Sequence, residues 1–67
     1  MYERLKGEIA RQKQMQNLTY EAIGEMIGYR ANTIAMFMSG ARESKALAEA
    51  LAKGLNIESE VLKENVD

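Results

Sequence analysis

The chain has 67 residues, enough for one small domain, and it contains neither cysteine nor histidine. This composition excludes a disulfide, a thiolate nucleophile, a zinc–cysteine site and the usual general base, so we expect no enzyme activity, metal or cofactor. The formal net charge of −1 is spread unevenly, because residues 1–17 hold four basic and two acidic side chains, whereas 43–67 hold three basic and six acidic ones. A basic front and an acidic back are compatible with binding to a polyanion such as DNA, from which the acidic end would face away.

The N-terminal segment is charged and amphipathic, unlike a signal peptide. No apolar run approaches the roughly 20 residues that span a bilayer. We therefore expect a soluble cytoplasmic protein with no membrane partner and no small-molecule substrate. A chain of this size buries only about 60% of its unfolded surface, so its fold must depend on helix packing or on a second chain.

The first predicted helix covers residues 2–14. Tyr2, Leu5 and Ile9 recur at spacings of three and four, which is typical of the inward face of a helix. Basic side chains lie off that stripe: Arg4, Arg11 and Lys13. Two interpretations of them stay open, a solvated face or contact with phosphates from the end of this helix.

The second helical pattern follows Thr19, whose hydroxyl is expected to accept a hydrogen bond from the amide of Glu21 or Ala22. Ile23 and Ile27 then fall one turn apart, on one face. The next residue, Gly28, is of the type that a chain leaving a helix often needs for positive φ.

The third predicted helix runs from about Ala31 to Met38, with Ile34 and Phe37 on its inward face, and Gly40 is placed to end it. Two helices of roughly two turns are marginal when isolated, so their apolar faces must pack on each other and on the rest of the chain. Residues 18–40 therefore predict a helix-turn-helix whose second helix is presented outward.

A fourth helix is predicted over Lys45–Leu55, with Ser44 as its N-cap. Leucines recur every fourth residue along it, and alanines between them give high helix propensity. Asn56 can take the left-handed conformation that ends a helix, after which Ile57 turns inward. The sequence does not explain why residue 54 is Gly54, because alanine has a higher helix propensity at such a position.

A fifth helix is predicted over about residues 59–65. Its Val61 and Leu62 either close the core or form a dimer contact, and residues 65–67 are expected to fray. The predicted fold is thus a single all-α domain over residues 1–67, a compact bundle of about five short helices around a central helix-turn-helix.

Several residues of the central segment match a known pattern in type and spacing: Leu18, Thr19, Glu21, Ile23, Gly24, Ile27, Gly28, Tyr29, Thr33, Ile34, Phe37 and Gly40. With them the chain resembles the helix-turn-helix of lambdoid phage repressors and Cro proteins, and the likeness extends from about Leu5 to Ile57. In that family a small residue at the Gly24 position lies where the two helices touch. The resemblance implies a lambda repressor-like fold and a sequence-specific DNA-binding regulator of phage or prophage type.

The third helix would be the recognition helix of such a protein. Its outward side chains are predicted to be Ala31, Asn32, Ala35, Met36 and Ser39. Asn32 can bridge adenine N6 and N7, Arg30 can reach a guanine or a phosphate, and the apolar side chains can contact a thymine methyl. The resemblance also assigns a phosphate or base contact to the position of Tyr20, although a partly buried ring is an equal alternative. It assigns a DNA backbone contact to Arg42, for which a solvent-exposed or glutamate-paired arginine stays open.

The predicted recognition helix departs from the family pattern, because residues 31–39 contain no lysine or arginine. An outward face with Ala35, Met36, Met26 and Met38 also suits another protein surface, at which methionine is adaptable. The alternative is that methionines such as Met36 and Met38 only fill gaps in a small core. Two functions therefore stay open. In the first, the chain binds a double-stranded DNA operator as a homodimer, and the two half-sites of the operator lie about one helical turn apart. In the second, it is an antirepressor that binds a phage repressor protein through the same surface.

Overall fold

The computed structural model describes residues 2–58 and residue 61, and that part of the chain contains four α-helices and no strand. The helices are α1 (Glu3–Met15), α2 (Tyr20–Ile27), α3 (Ala31–Ser39) and α4 (Lys45–Gly54). The all-α prediction is confirmed, and each boundary lies within a residue of its predicted place. The predicted fifth helix and frayed end lie outside the described residues, except for Val61. None of α1–α4 has the length and apolar character needed to cross a membrane.

Side-chain caps begin α2 and α4. The hydroxyl of Thr19 accepts a hydrogen bond of 3.0 Å from the amide of Ala22, and the hydroxyl of Ser44 accepts one of 3.2 Å from the amide of Leu47. Each bond satisfies a donor that the first turn of a helix leaves without an intrahelical acceptor. Both predicted caps are confirmed.

Left-handed residues end α2 and α3. Gly28 has φ of 79° and Gly40 has φ of 88°, values at which any residue with a Cβ atom is strained. Asn56 takes the same conformation after α4, with φ of 61°. At each of these three residues the helix ends and the chain changes direction, as the positions of the residues in the sequence predicted.

The core is formed by the inward faces of all four helices. Its fully buried members include Leu5 and Ile9 of α1, Ile23 of α2, and Ile34 and Phe37 of α3. The remaining buried side chains come from the two ends of the described chain and from α4: Tyr2, Leu47, Ala48, Leu51, Ala52, Leu55 and Val61. Val61 therefore helps to close the core.

Ile27 differs from its prediction. We expected it to point inward with Ile23, Ile34 and Phe37, but it is only partly buried. Its place at the last turn of α2 explains the difference, because it lies against Gly54 at the end of α4, beside a shallow groove that Met26 also lines. Ile27 thus joins α2 to α4 at the edge of the core.

Candidate functional site

The turn between α2 and α3, residues 28–30, is held by the backbone of Gly24. The carbonyl of Gly24 accepts hydrogen bonds from the amides of Gly28 (2.7 Å) and Tyr29 (3.0 Å). A Cβ atom on Gly24 would overlap the carbonyl oxygen of Tyr29, so only glycine allows the turn to lie this close to α2. The start of α3 is therefore set by backbone contacts with α2.

One side of α3 faces solvent. Its most exposed members are Asn32, Met36 and Ser39, which we call the α3 strip, whereas Ile34 and Phe37 on the opposite side are fully buried. Met36 keeps 37% of its surface exposed. This arrangement agrees with the predicted orientation of α3.

Ala31 and Ala35 were predicted to be outward but are only partly exposed. A methyl side chain at the border between the buried and exposed sides of a helix is shielded by its longer neighbours. The two alanines consequently flank the α3 strip and add less surface to it than predicted.

The amide of Asn32 is oriented by Met36. Its Nδ2 donates a hydrogen bond of 3.7 Å to the sulfur of Met36, one turn further along α3. Thioether sulfur is a weak acceptor, and an asparagine amide has a second N–H and a carbonyl oxygen. Within the described residues those two groups have no hydrogen-bond partner, so they are available to a ligand. The sequence signal for this contact is the spacing of four residues between Asn32 and Met36, which places them on the same side of the helix. The prediction of the site did not include this contact.

Ser39 is exposed, but its hydroxyl is used within the chain. It donates to the carbonyl of Met36 (3.1 Å) and accepts from the amide of Ala41 (3.4 Å). Because its only hydrogen is already donated, Ser39 completes the end of α3 and offers a ligand little more than a lone pair. Its predicted outward position is confirmed, and its role in binding stays a prediction.

An arginine lies at each end of the α3 strip. Arg30 is the N-cap of α3, and both Arg30 and Arg42 are exposed. The amide of Arg42 donates to the carbonyl of Met36 (3.1 Å), which fixes the chain after Gly40 against the end of α3. Neither guanidinium makes an ion pair with the described residues. The helix between them is about 14 Å long, so two cations flank the strip.

Tyr20 is the first residue of α2 and is partly buried against the core. The ammonium of Lys13 lies 5.1 Å from the centre of its ring, within the range of a cation–π contact. The two side chains line an open groove between α1 and α2 together with Asn17. The partly buried alternative for Tyr20 is thus confirmed.

Two further cations of α1, Lys6 and Arg11, face carboxylates. Arg11 bonds Glu8 at 3.0 Å and donates to the sulfur of Met15, and Lys6 lies 3.4 Å from Glu43. The hydrogen bond from Arg11 lowers the pKa of Glu8 below its ordinary value. For Arg11 the structure favours the solvated-face interpretation.

Apart from the exposed Met15, whose sulfur accepts from Arg11, the described methionines fall into two groups. Met38 is partly buried and packs against the core, which supports its gap-filling interpretation. Met26 is 50% exposed on α2 and Met36 is the exposed middle of the α3 strip. The second group is available for contact with another molecule.

Comparison of this chain with protein-family models, with curated proteins and with solved structures gives no match.

Proposed function

We propose that this chain is a sequence-specific DNA-binding transcriptional regulator of phage or prophage type. In this proposal α2, the turn and α3 form a helix-turn-helix of the lambda repressor and Cro kind, and α3 is the recognition helix. One observation carries it: α3 exposes the Asn32 amide between two arginines, while Ile34 and Phe37 hold its other side in the core. The major groove of B-DNA, roughly 12 Å wide, admits a helix presented in this way.

The residues take distinct roles in the proposed complex. Asn32 contacts a base edge, and Met36 with Ala35 and Ala31 gives apolar contact in the groove. Arg30 reaches a guanine or a phosphate, and Arg42 grips the backbone at the other end of α3. As a homodimer the protein would read half-sites about one helical turn apart.

Selection from a pool of random DNA duplexes tests this function. The full chain should enrich one sequence, and fluorescence anisotropy on that duplex should give a Kd on the order of 10⁻⁸ M with a steep salt dependence. Asn32→Ala should weaken binding by about 1–3 kcal/mol and relax the preference at one position. Equal, weak affinity for every duplex would contradict the proposal.

A second function is supported by a separate observation. Met36 and Met26 are large, apolar and exposed, and α3 carries no lysine or arginine. Exposed methionine is common at adaptable protein-binding surfaces. The alternative is an antirepressor or modulator that places the α3 strip on a phage repressor protein.

Isothermal titration against a purified phage repressor of the lambda repressor kind tests the alternative. Complex formation should be lost in Ala35→Glu, which buries an unpaired carboxylate at the edge of the strip. Unchanged helical circular dichroism is the control for folding. A complex that survives the substitution would exclude α3 as the protein interface.

A further inference from the structure

The α3 strip has an unusual balance of chemical groups. Ser39 has already donated its hydrogen, so the free donor of the strip belongs to Asn32, whose carbonyl oxygen is also free to accept. The neighbouring exposed surface on α3 is the thioether and methylene surface of Met36. A complementary surface must therefore combine one acceptor–donor pair with an apolar group.

Among the base edges of the major groove, A·T pairs match this combination. Adenine presents the N7 acceptor beside the N6 donor, and thymine presents the C5 methyl group. Guanine presents two acceptors, N7 and O6, which are read by arginine or lysine, and residues 31–39 contain neither. The composition of the strip thus favours A·T over G·C pairs opposite Asn32 and Met36, whereas Arg30 at the start of α3 can reach a guanine beside them.

The contact between Asn32 and Met36 sets the orientation of the amide. Nδ2 directs one N–H along the helix to the sulfur, so the other N–H and the carbonyl oxygen are not used within the described residues. A bidentate contact with adenine N7 and N6 uses one amide N–H and the carbonyl oxygen. Because a thioether is a weak acceptor, holding the amide in this way costs little of its capacity to bind a base.

We propose that α3 reads an A·T-rich step in the major groove, with Asn32 on adenine N6 and N7 and Met36 on the methyl group of a nearby thymine. Met36 lies four residues from Asn32, a rise of about 6 Å, which spans one or two base pairs. Met36 is in addition a positioning residue for the Asn32 amide. This inference rests on the proposed DNA-binding function and names the bases that it recognises.

Base analogues in the selected duplex test it. Replacing the contacted adenine by 7-deazaadenine removes N7 alone, and should weaken binding about 2- to 10-fold. Replacing the contacted thymine by deoxyuridine removes one methyl group and should weaken it about 3- to 4-fold. The same replacements outside the selected core are the matched controls and should have no effect.

Protein variants assign each base contact to its residue. Asn32→Ala should bind the 7-deazaadenine and adenine duplexes equally, and Met36→Ala should bind the uracil and thymine duplexes equally. Met36→Leu keeps an apolar side chain without the sulfur. It should therefore retain the preference for the thymine over the uracil duplex, while its preference for adenine over 7-deazaadenine should fall about 2- to 5-fold. If Met36 only stabilised the fold, its substitution would leave the preference for adenine and thymine over their analogues unchanged.

The outcomes separate this inference from the function on which it rests. If the wild-type chain enriches no sequence, the DNA-binding function itself is wrong. If it enriches a core of G·C pairs, or binds both analogues as tightly as the natural bases, only the A·T reading is overturned.

Discussion

Ile27 and Gly54 fit together without space for one more carbon atom, because a Cβ atom on Gly54 would overlap Cγ2 of Ile27. Gly54 is the last residue of α4 and Ile27 is the last residue of α2. The end of α2 is therefore held against α4 immediately before the turn that leads into α3. This contact explains why glycine occupies position 54, which helix propensity alone could not explain.

Gly54→Ala should destabilise the fold. Alanine is favoured over glycine in a helix by about 1 kcal/mol, but overpacking against Ile27 typically costs about 1–3 kcal/mol. We expect the free energy of unfolding to fall in urea denaturation followed by circular dichroism. In an Ile27→Ala background the added methyl group has space, so the same substitution should be neutral or stabilising. Strictly additive effects of the two substitutions would show that the residues do not touch.

Gly7→Ala should stabilise the protein by about 0.5–1 kcal/mol. Gly7 lies in the middle of α1, is exposed, and has no atom within 4 Å of the position of an added Cβ. The same denaturation measurement checks this prediction, and it makes Gly7→Ala the matched control for Gly54→Ala. A loss of stability would mean that this side of α1 is covered in solution.

Under the proposed DNA-binding function, Arg42→Ala should weaken binding to DNA and lower the slope of log K against log salt by about 1, as expected for one lost phosphate contact. Lys53→Ala is the control, because it removes the same charge from an exposed position at the end of α4. The measurement is fluorescence anisotropy at several salt concentrations. Equal effects of both variants would indicate that only the net charge matters and that Arg42 makes no specific contact.

Met36→Lys should have opposite effects under the two proposed functions. On DNA the new cation keeps or raises the overall affinity, since it adds attraction to phosphates, while the sequence preference declines. On a protein partner it places a charge in an apolar contact and should abolish the complex. Anisotropy with DNA and titration calorimetry with the repressor distinguish the two. Complete loss of DNA binding in a folded variant would count against α3 as a groove-binding helix.

Local features of the fold could be predicted because their causes lie within a few residues. A hydroxyl at Thr19 or Ser44 reaches an amide three residues later, and Gly28 and Gly40 take left-handed turns that belong to their own backbone. The spacing of Ile34 and Phe37 likewise predicted which side of α3 is buried and left Asn32 and Met36 exposed.

The polar groups of the candidate site that are free to bind a ligand were less predictable, because they depend on which contacts each side chain makes within the fold. That Ser39 uses its hydroxyl on the end of α3 follows from the path of the chain after Gly40. That Tyr20 lies partly buried under Lys13 follows from the way α1 packs beside α2. Outward position on a helical wheel gave no information about either.

The sequence by itself determined the helices, their caps and the exposed side of α3, because hydrogen bonds and apolar periodicity within one helix act over short distances. Only the tertiary structure decided the place of Ile27 and the need for Gly54, and it alone brought Lys6 to Glu43, 37 residues away. The physical reason is that these contacts join residues distant in the chain, and steric fit between them exists only once the helices have packed.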